Sequence, residues 1–184
     1  MSGRLSGKRI AFLTDNSGVE QVELTTPWEA FRDAGGELSL VAPDRGEVQA
    51  FTNDVEKADV FPVDLSIDQA SVENFDALVL PGGTTNADAL RMSAGAVALV
   101  KAFVAAGKPI AAICHGPWAL VEAEVLPGKT LTSYPSLQTD IRNAGGTWVD
   151  RESFTCTALG WTLVTSRNPG DLTAFVDASV DAFA

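Results

Sequence analysis

Short apolar runs alternate with longer stretches in which apolar residues recur at helical spacing, a pattern that predicts strands and helices in turn. The apolar runs predict strands at residues 9–14, 37–42, 76–80, 109–113 and 161–165, with shorter ones near 58–63 and at 130–133, 147–150 and 154–158. Helical spacing predicts helices at residues 20–34, 88–92, 96–106, 117–123, 136–143 and 171–183. Residues 44–75 otherwise read as irregular.

Because strands alternate with helices, the pattern favours an α/β fold with a mainly parallel sheet that carries helices on both faces. At 184 residues the chain is expected to form one domain over residues 1–184. In such folds functional groups lie at the carboxyl ends of the strands. Three loops meet that condition: residues 15–20, 81–88 and 114–116.

The composition of the chain argues against some classes of binding partner. Hydrophobic residues make up 46% and charged residues 20% of the chain, as in globular proteins. The formal net charge of −11 argues against nucleic acid and against an anionic membrane surface as partners. The first nine residues are polar, and the apolar run at 10–13 is too short for a signal peptide or a membrane span, so a cytoplasmic location is expected.

The single histidine of the chain, His115, follows one of its two cysteines, Cys114. They stand between a predicted buried strand and a predicted helix, with the small residues Ala112 and Gly116 on either side. This arrangement is typical of a nucleophile elbow, a tight turn between strand and helix that exposes a nucleophile. The helix N-terminus is expected to lower the pKa of the thiol. The alternative interpretation is a buried structural cysteine, and this is our interpretation of the other cysteine, Cys156.

A second candidate loop is Pro81-Gly82-Gly83, which follows the predicted strand 76–80. Glycines expose backbone N–H groups, so the N–H of Gly83 and that of His115 could bind an oxyanion. The same glycines could simply form a turn. No phosphate-binding or dinucleotide-binding glycine motif occurs in the sequence, and one histidine with two distant cysteines is a poor zinc site. We therefore expect no cofactor and no metal.

The chain resembles the ThiJ/PfpI superfamily, most closely its branch of PfpI-type intracellular peptidases and general stress proteins. The specific segments are Ala112-Ile113-Cys114-His115-Gly116-Pro117 and Leu80-Pro81-Gly82-Gly83. Further matching segments lie at residues 12–14, 19–24, 75–79, 86–92, 132–135 and 165–172. The resemblance implies a flavodoxin-like three-layer α/β/α sandwich in which Cys114 is the nucleophile.

The resemblance also implies further site residues. Glu20 is expected beside the sulfur, protonated and hydrogen-bonded to it, although a residue there could simply begin a helix. Glu23 is interpreted as a surface or packing residue. Asp88 matches a carboxylate that reaches the histidine of a neighbouring subunit; the type member has glutamate there, and Asp88 could instead only begin a short helix. Tyr134 matches a tyrosine near the site of the family.

Because Cys114 and His115 are neighbours in sequence, their side chains are expected to diverge. A third group would then have to orient the histidine, and Asp88 of another chain is the candidate. This predicts a homo-oligomer, at least a dimer, with the site near the interface. Glutamine amidotransferases share the fold but need a second, distant histidine, which this sequence lacks.

Two functions remain. In the first, the chain is a stress-response hydrolase of the PfpI type that acts on a peptide or a small carbonyl compound, with peptidase, glyoxalase or deglycase chemistry. In the second, it is a redox-responsive stress protein with little turnover, in which Cys114 is oxidised to sulfenic or sulfinic acid.

Overall fold

The computed structural model describes residues 3–184. The strands are β1 (Arg9–Leu13), β2 (Ser17–Glu20), β3 (Glu37–Ala42), β4 (Glu47–Thr52), β5 (Glu56–Pro62), β6 (Leu65–Ser66), β7 (Ala77–Leu80), β8 (Ile110–Ile113), β9 (Thr130–Leu131), β10 (Thr147–Trp148), β11 (Phe154–Cys156) and β12 (Leu163–Ser166). The α-helices are α1 (Gln21–Asp33), α2 (Thr84–Met92), α3 (Ala94–Ala105), α4 (Trp118–Glu122), α5 (Gln138–Asn143) and α6 (Leu172–Phe183).

The central sheet has the strand order β11-β12-β8-β7-β1-β3-β6, counted over residues 3–184. All pairings in it are parallel except that of the edge strand β11 with β12. Together with the flanking helices this is the predicted flavodoxin-like α/β/α sandwich. The prediction that residues 1–184 form one domain stays a prediction, since residues 1 and 2 lie outside the described part.

Successive residues of β1 point into two different cores, which makes the sandwich three-layered. Ala11 and Leu13 pack in the core that contains Phe103 of α3 and Leu120 of α4. Ile10 and Phe12 pack in the core that contains Phe31 of α1 and Phe175 of α6. Because both faces are covered, the inner strands are continuous apolar runs. No helix among residues 3–184 is both long and apolar enough to cross a bilayer.

The region 44–75 is more regular than the sequence predicts. Strands β4 and β5 form an antiparallel hairpin that pairs with β2 in a separate three-stranded sheet. The hairpin turns at Asn53 and Asp54, which have φ values of 53° and 64°, a conformation that these two residue types tolerate. Strand β5 contains most of the short strand predicted near residues 58–63. Strand β4 was not predicted, although Val48 and Ala50 are buried at alternate positions along it.

Candidate active site

Cys114 occupies a tight turn directly after β8, with a φ of 60°. The turn is fixed on both sides: the Cys114 N–H donates to the carbonyl of Ser166 at 3.1 Å, and the Cys114 carbonyl accepts the N–H of Tyr134 at 2.9 Å. Positive φ is unfavourable for a residue with a side chain, by about 1–2 kcal/mol. A side chain at Gly116 would collide with the carbonyl of Leu80. The predicted nucleophile elbow is confirmed, with the small residue where sterics require it.

The side chains of Cys114 and His115 meet, contrary to the expected divergence. Nδ1 of His115 lies 3.1 Å from the sulfur, and the left-handed backbone at Cys114 changes the direction in which its side chain leaves the chain. The imidazole stacks on Tyr134 with ring centroids 4.6 Å apart. Its Nε2 lies 3.4 Å from Oγ of Ser136. Groups of its own chain therefore hold the imidazole beside the sulfur.

The carboxyl group against the sulfur belongs to Glu23, so the prediction of Glu20 for this place is wrong. Glu23 is fully buried, its Oε2 accepts the N–H of Gly82 at 2.8 Å, and the group also interacts with the thiol of Cys114. Helix α1 begins only at Gln21, because Glu20 still belongs to β2. Position 23, in the first turn, is the one that points inward. The Glu20 carboxylate instead accepts the N–H of Asp54 at 3.3 Å.

Burial sets the protonation of the site. It raises the pKa of Glu23 to about 8, so this carboxyl is largely protonated at neutral pH. It raises the pKa of the Cys114 thiol and outweighs the N–H groups of Gly83 and His115, which act in the opposite direction. It lowers the pKa of His115. Burial therefore acts against the thiolate that a helix N-terminus is expected to favour, and it favours a neutral imidazole and a carboxylic acid beside the sulfur.

The Pro81-Gly82-Gly83 loop lies against the elbow. Gly83 has a φ of 89° and immediately precedes α2. A side chain there would collide with the backbone of β2, 2.7 Å from the nitrogen of Glu20. The N–H groups of Gly83 and His115 both interact with the sulfur of Cys114. Two N–H groups directed at the sulfur are in a position to bind an oxygen that develops on a carbon attached to it.

A cleft of about 310 Å³ opens above the sulfur. Its lining residues come from the end of β2, α1, the β4–β5 turn, the start of α2, the two candidate loops and the segments that follow β9 and β12: Glu20, Glu23, Asn53, Asp54, Gly83, Thr84, Cys114, His115, Tyr134 and Pro169. Asp54 anchors the hairpin to the start of α2, because its carboxylate accepts both the N–H and the hydroxyl of Thr84 at 2.7 Å. The contribution of the β4–β5 turn was not predicted, because nothing in the sequence pattern relates residues 53 and 54 to position 114.

Two other predicted residues lie apart from this cleft. Asp88 is exposed on α2 and is not among the described residues that line the cleft. Its predicted contact across subunits stays a prediction. Cys156 is buried in β11, has no disulfide partner and does not line the cleft. Its place in the sheet agrees with the interpretation as a structural residue.

Comparisons with known proteins agree on one family. The DJ-1/PfpI family matches residues 8–182. General stress protein 18 of Bacillus subtilis is 39% identical over 92% of this chain and 94% of its own length. Deglycase PfpI of Pyrococcus furiosus is 37% identical over 91% of this chain and 95% of its own length. Among solved structures, DJ-1beta of Drosophila melanogaster is 30% identical, with a TM-score of 0.83 over 100% of this chain and 91% of its own.

Proposed function

Because the chain belongs to the DJ-1/PfpI family, we propose that it is a cysteine-dependent stress-response hydrolase that acts on a small carbonyl compound or a peptide. The observation that carries the proposal is the 3.1 Å approach of Nδ1 of His115 to the sulfur of Cys114 at a strained elbow. Related proteins named as a general stress protein and a deglycase support the chemical class.

A buried thiol needs a base beside it to become a nucleophile, and Nδ1 of His115 is within reach of the sulfur. As the sulfur attacks the carbonyl carbon, its proton passes to Nδ1 of His115 and the carbonyl electron pair moves to oxygen. The N–H groups of Gly83 and His115 stabilise that oxygen. Nε2 of His115 lies near Ser136, so the hydroxyl of Ser136 can accept the Nε2–H of the imidazolium that forms. Protonated Glu23, held by Gly82, can donate to the sulfur or to the developing oxyanion.

Loss of methylglyoxal, followed with purified protein, tests this proposal. Cys114→Ala is expected to abolish turnover because it removes the nucleophile, whereas Cys156→Ala, which removes the other buried thiol, is expected to retain it. Full turnover in Cys114→Ala would refute the proposal. If neither the wild type nor Cys156→Ala consumes methylglyoxal, the assay is repeated with unfolded protein and short peptides as substrates, and absence of Cys114-dependent turnover there also refutes it.

The predicted homo-oligomer is part of the proposal. Asp88 is exposed, so its carboxylate is free to contact another molecule, and α2 begins at the oxyanion loop. Asp88 of one subunit would then reach the imidazole edge of its neighbour. A concentration-independent monomer in light scattering would rule this out. A reducing cytoplasm, the expected location, would keep both cysteines as the free thiols seen in the structure.

A second candidate function is a redox response, and the position of Glu23 favours it. A protonated carboxyl beside the sulfur can donate a hydrogen bond to an oxygen added to Cys114 and so stabilise a sulfinic acid. After mild peroxide treatment, mass spectrometry should find one or two added oxygens on Cys114 and none on Cys156. Equal oxidation of both cysteines would contradict this function.

A further inference from the structure

The charged groups at the mouth of the cleft are all acidic. Glu20 and Asp54 line the cleft together with the uncharged Asn53 and Thr84. Among the described lining residues none is lysine or arginine, and the only histidine has its pKa lowered by burial. The negative charges of Glu20 and Asp54 add to burial in raising the pKa of Glu23, which shows that they act on the interior of the site.

These carboxylates are fixed in place. Asp54 is held by two hydrogen bonds to Thr84, and its own N–H donates to Glu20. Glu20 is 8% exposed and ends β2, whose pairing with β4 carries the hairpin over the elbow. Both carboxylates are therefore held in place at the lining of the cleft.

We propose that Glu20 and Asp54 form a charge-selective mouth that admits neutral and cationic electrophiles to Cys114 and rejects those that carry a carboxylate. Uncharged carbonyl compounds would then reach the thiol, and carbonyl compounds that carry a carboxylate would be excluded. This specificity rests on the proposed function, but the access of electrophiles to the thiol does not. Like charges repel most strongly where the surrounding protein lowers the effective dielectric constant.

The test compares alkylation of Cys114 by iodoacetamide, which is neutral, and by iodoacetate, which is negatively charged and of similar size. In both reactions the sulfur forms a bond to carbon, iodide leaves with the bonding electron pair, and the thiol proton passes to solvent. Rates at Cys114 and Cys156 are separated by peptide mass spectrometry. The thiolate fraction cancels in each ratio of rates, iodoacetamide over iodoacetate, because both reagents attack the same thiol. Each ratio is then divided by the ratio for N-acetylcysteine amide, which removes the difference in intrinsic reactivity between the two reagents.

The normalised ratio for the wild type is expected to exceed one by a factor on the order of ten, which corresponds to about 1.4 kcal/mol. Glu20→Gln and Asp54→Asn should each move the ratio toward one, because the amides keep hydrogen-bond acceptors for Asp54 N–H and Thr84 N–H but lose the charge. Glu56→Gln is the matched control: it removes an exposed charge from the same hairpin, outside the cleft lining, and should leave the ratio unchanged.

A normalised ratio near one in the wild type would overturn the proposal. So would a high ratio that stays the same in both amide variants, or one that falls equally in Glu56→Gln, since net charge would then explain it. The alkylation ratio does not depend on turnover, so a protein that consumes no methylglyoxal can still show a selective mouth. A protein that turns over methylglyoxal without discriminating between the two reagents would retain the proposed function and lose this inference.

Discussion

Glu23 and Cys114 lie on separate elements, 91 positions apart in sequence, yet the carboxyl of Glu23 interacts with the thiol at the base of the cleft. Gly82 makes this contact possible. Its N–H binds Oε2 of Glu23, and a side chain at position 82 would overlap that oxygen and come within 2.6 Å of Cβ of Cys114. The nucleophile, the buried acid and the oxyanion loop therefore form one packed unit.

Gly82→Ala tests that unit. The added methyl group must displace the Glu23 carboxyl or the elbow, and a displacement of about 1 Å in a catalytic group lowers the rate by about a hundredfold. We expect kcat/KM for methylglyoxal to fall by that order while the protein remains folded by circular dichroism. Gly46→Ala is the control for a general loss of stability, because its φ of 122° strains an alanine there although a side chain would meet nothing within 4 Å. Equal activity in the two variants would contradict the packing argument.

The buried acid should leave a signature in stability against pH. The pKa of Glu23 is about 8 in the folded state, compared with 4.5 as its ordinary value. Its stabilising contribution is fully present below pH 4.5 and is lost as pH rises through about 8, because the unfolded chain ionises first. Glu23→Gln has no group that ionises here, so it does not show this loss of stability. The loss amounts to about 1.4 kcal/mol for each unit by which the pKa is raised in the folded state. Its free energy of unfolding relative to the wild type should thus rise by a few kcal/mol between pH 4.5 and 8.

Urea unfolding at pH 4.5, 6 and 8 measures this difference. Glu29→Gln serves as the control, because it removes an exposed carboxylate from the same helix and leaves the buried one in place. A constant difference between Glu23→Gln and the wild type over this range would show that Glu23 is ionised in the folded protein.

Tyr134 holds the imidazole by stacking rather than through its hydroxyl. Its ring lies 4.6 Å from that of His115 with an interplanar angle of 25°. Stacking of this kind contributes about 0.5–1.5 kcal/mol, equivalent to a rate effect of up to about tenfold. Tyr134→Phe is expected to keep kcat, whereas Tyr134→Leu should lower it by up to about tenfold. An equal loss in the two variants would mean that the hydroxyl, and not the stacked ring, is what the site requires.

The proposed role of Asp88 across subunits predicts complementation. We expect the Cys114→Ala and Asp88→Ala proteins to be weakly active or inactive when each is assayed alone. The test is to refold subunits of the two variants together. If they assemble randomly as dimers, one site in each mixed dimer has both groups, and roughly a quarter of wild-type activity should return. The Asp88→Ala protein refolded with itself is the control. No gain above the sum of the two separate proteins would rule out a contribution from the neighbouring subunit.

The sequence predicts the central sheet and its helices well, because strands such as β1, β7 and β8 are uninterrupted apolar runs. It also predicts the elbow, since small residues flank Cys114. It fails at Glu20 and Glu23, which are three residues apart in the same segment. The available signal was the helical face shared by Glu23, Pro27 and Phe31, where a carboxyl group occurs on an otherwise apolar stripe. Sequence offered no signal for Asp54, because its role depends on a hairpin folding over the elbow.

The central claim is that a reduced Cys114 is the nucleophile. The most direct measurement is methylglyoxal turnover by protein treated with increasing peroxide, plotted against the fraction of reduced Cys114 found by mass spectrometry. The account predicts that turnover falls in proportion to that fraction, and that reduction of the sulfenic acid by added thiol restores it. Turnover that persists when Cys114 is fully oxidised, while Cys156 is still reduced, would contradict the account.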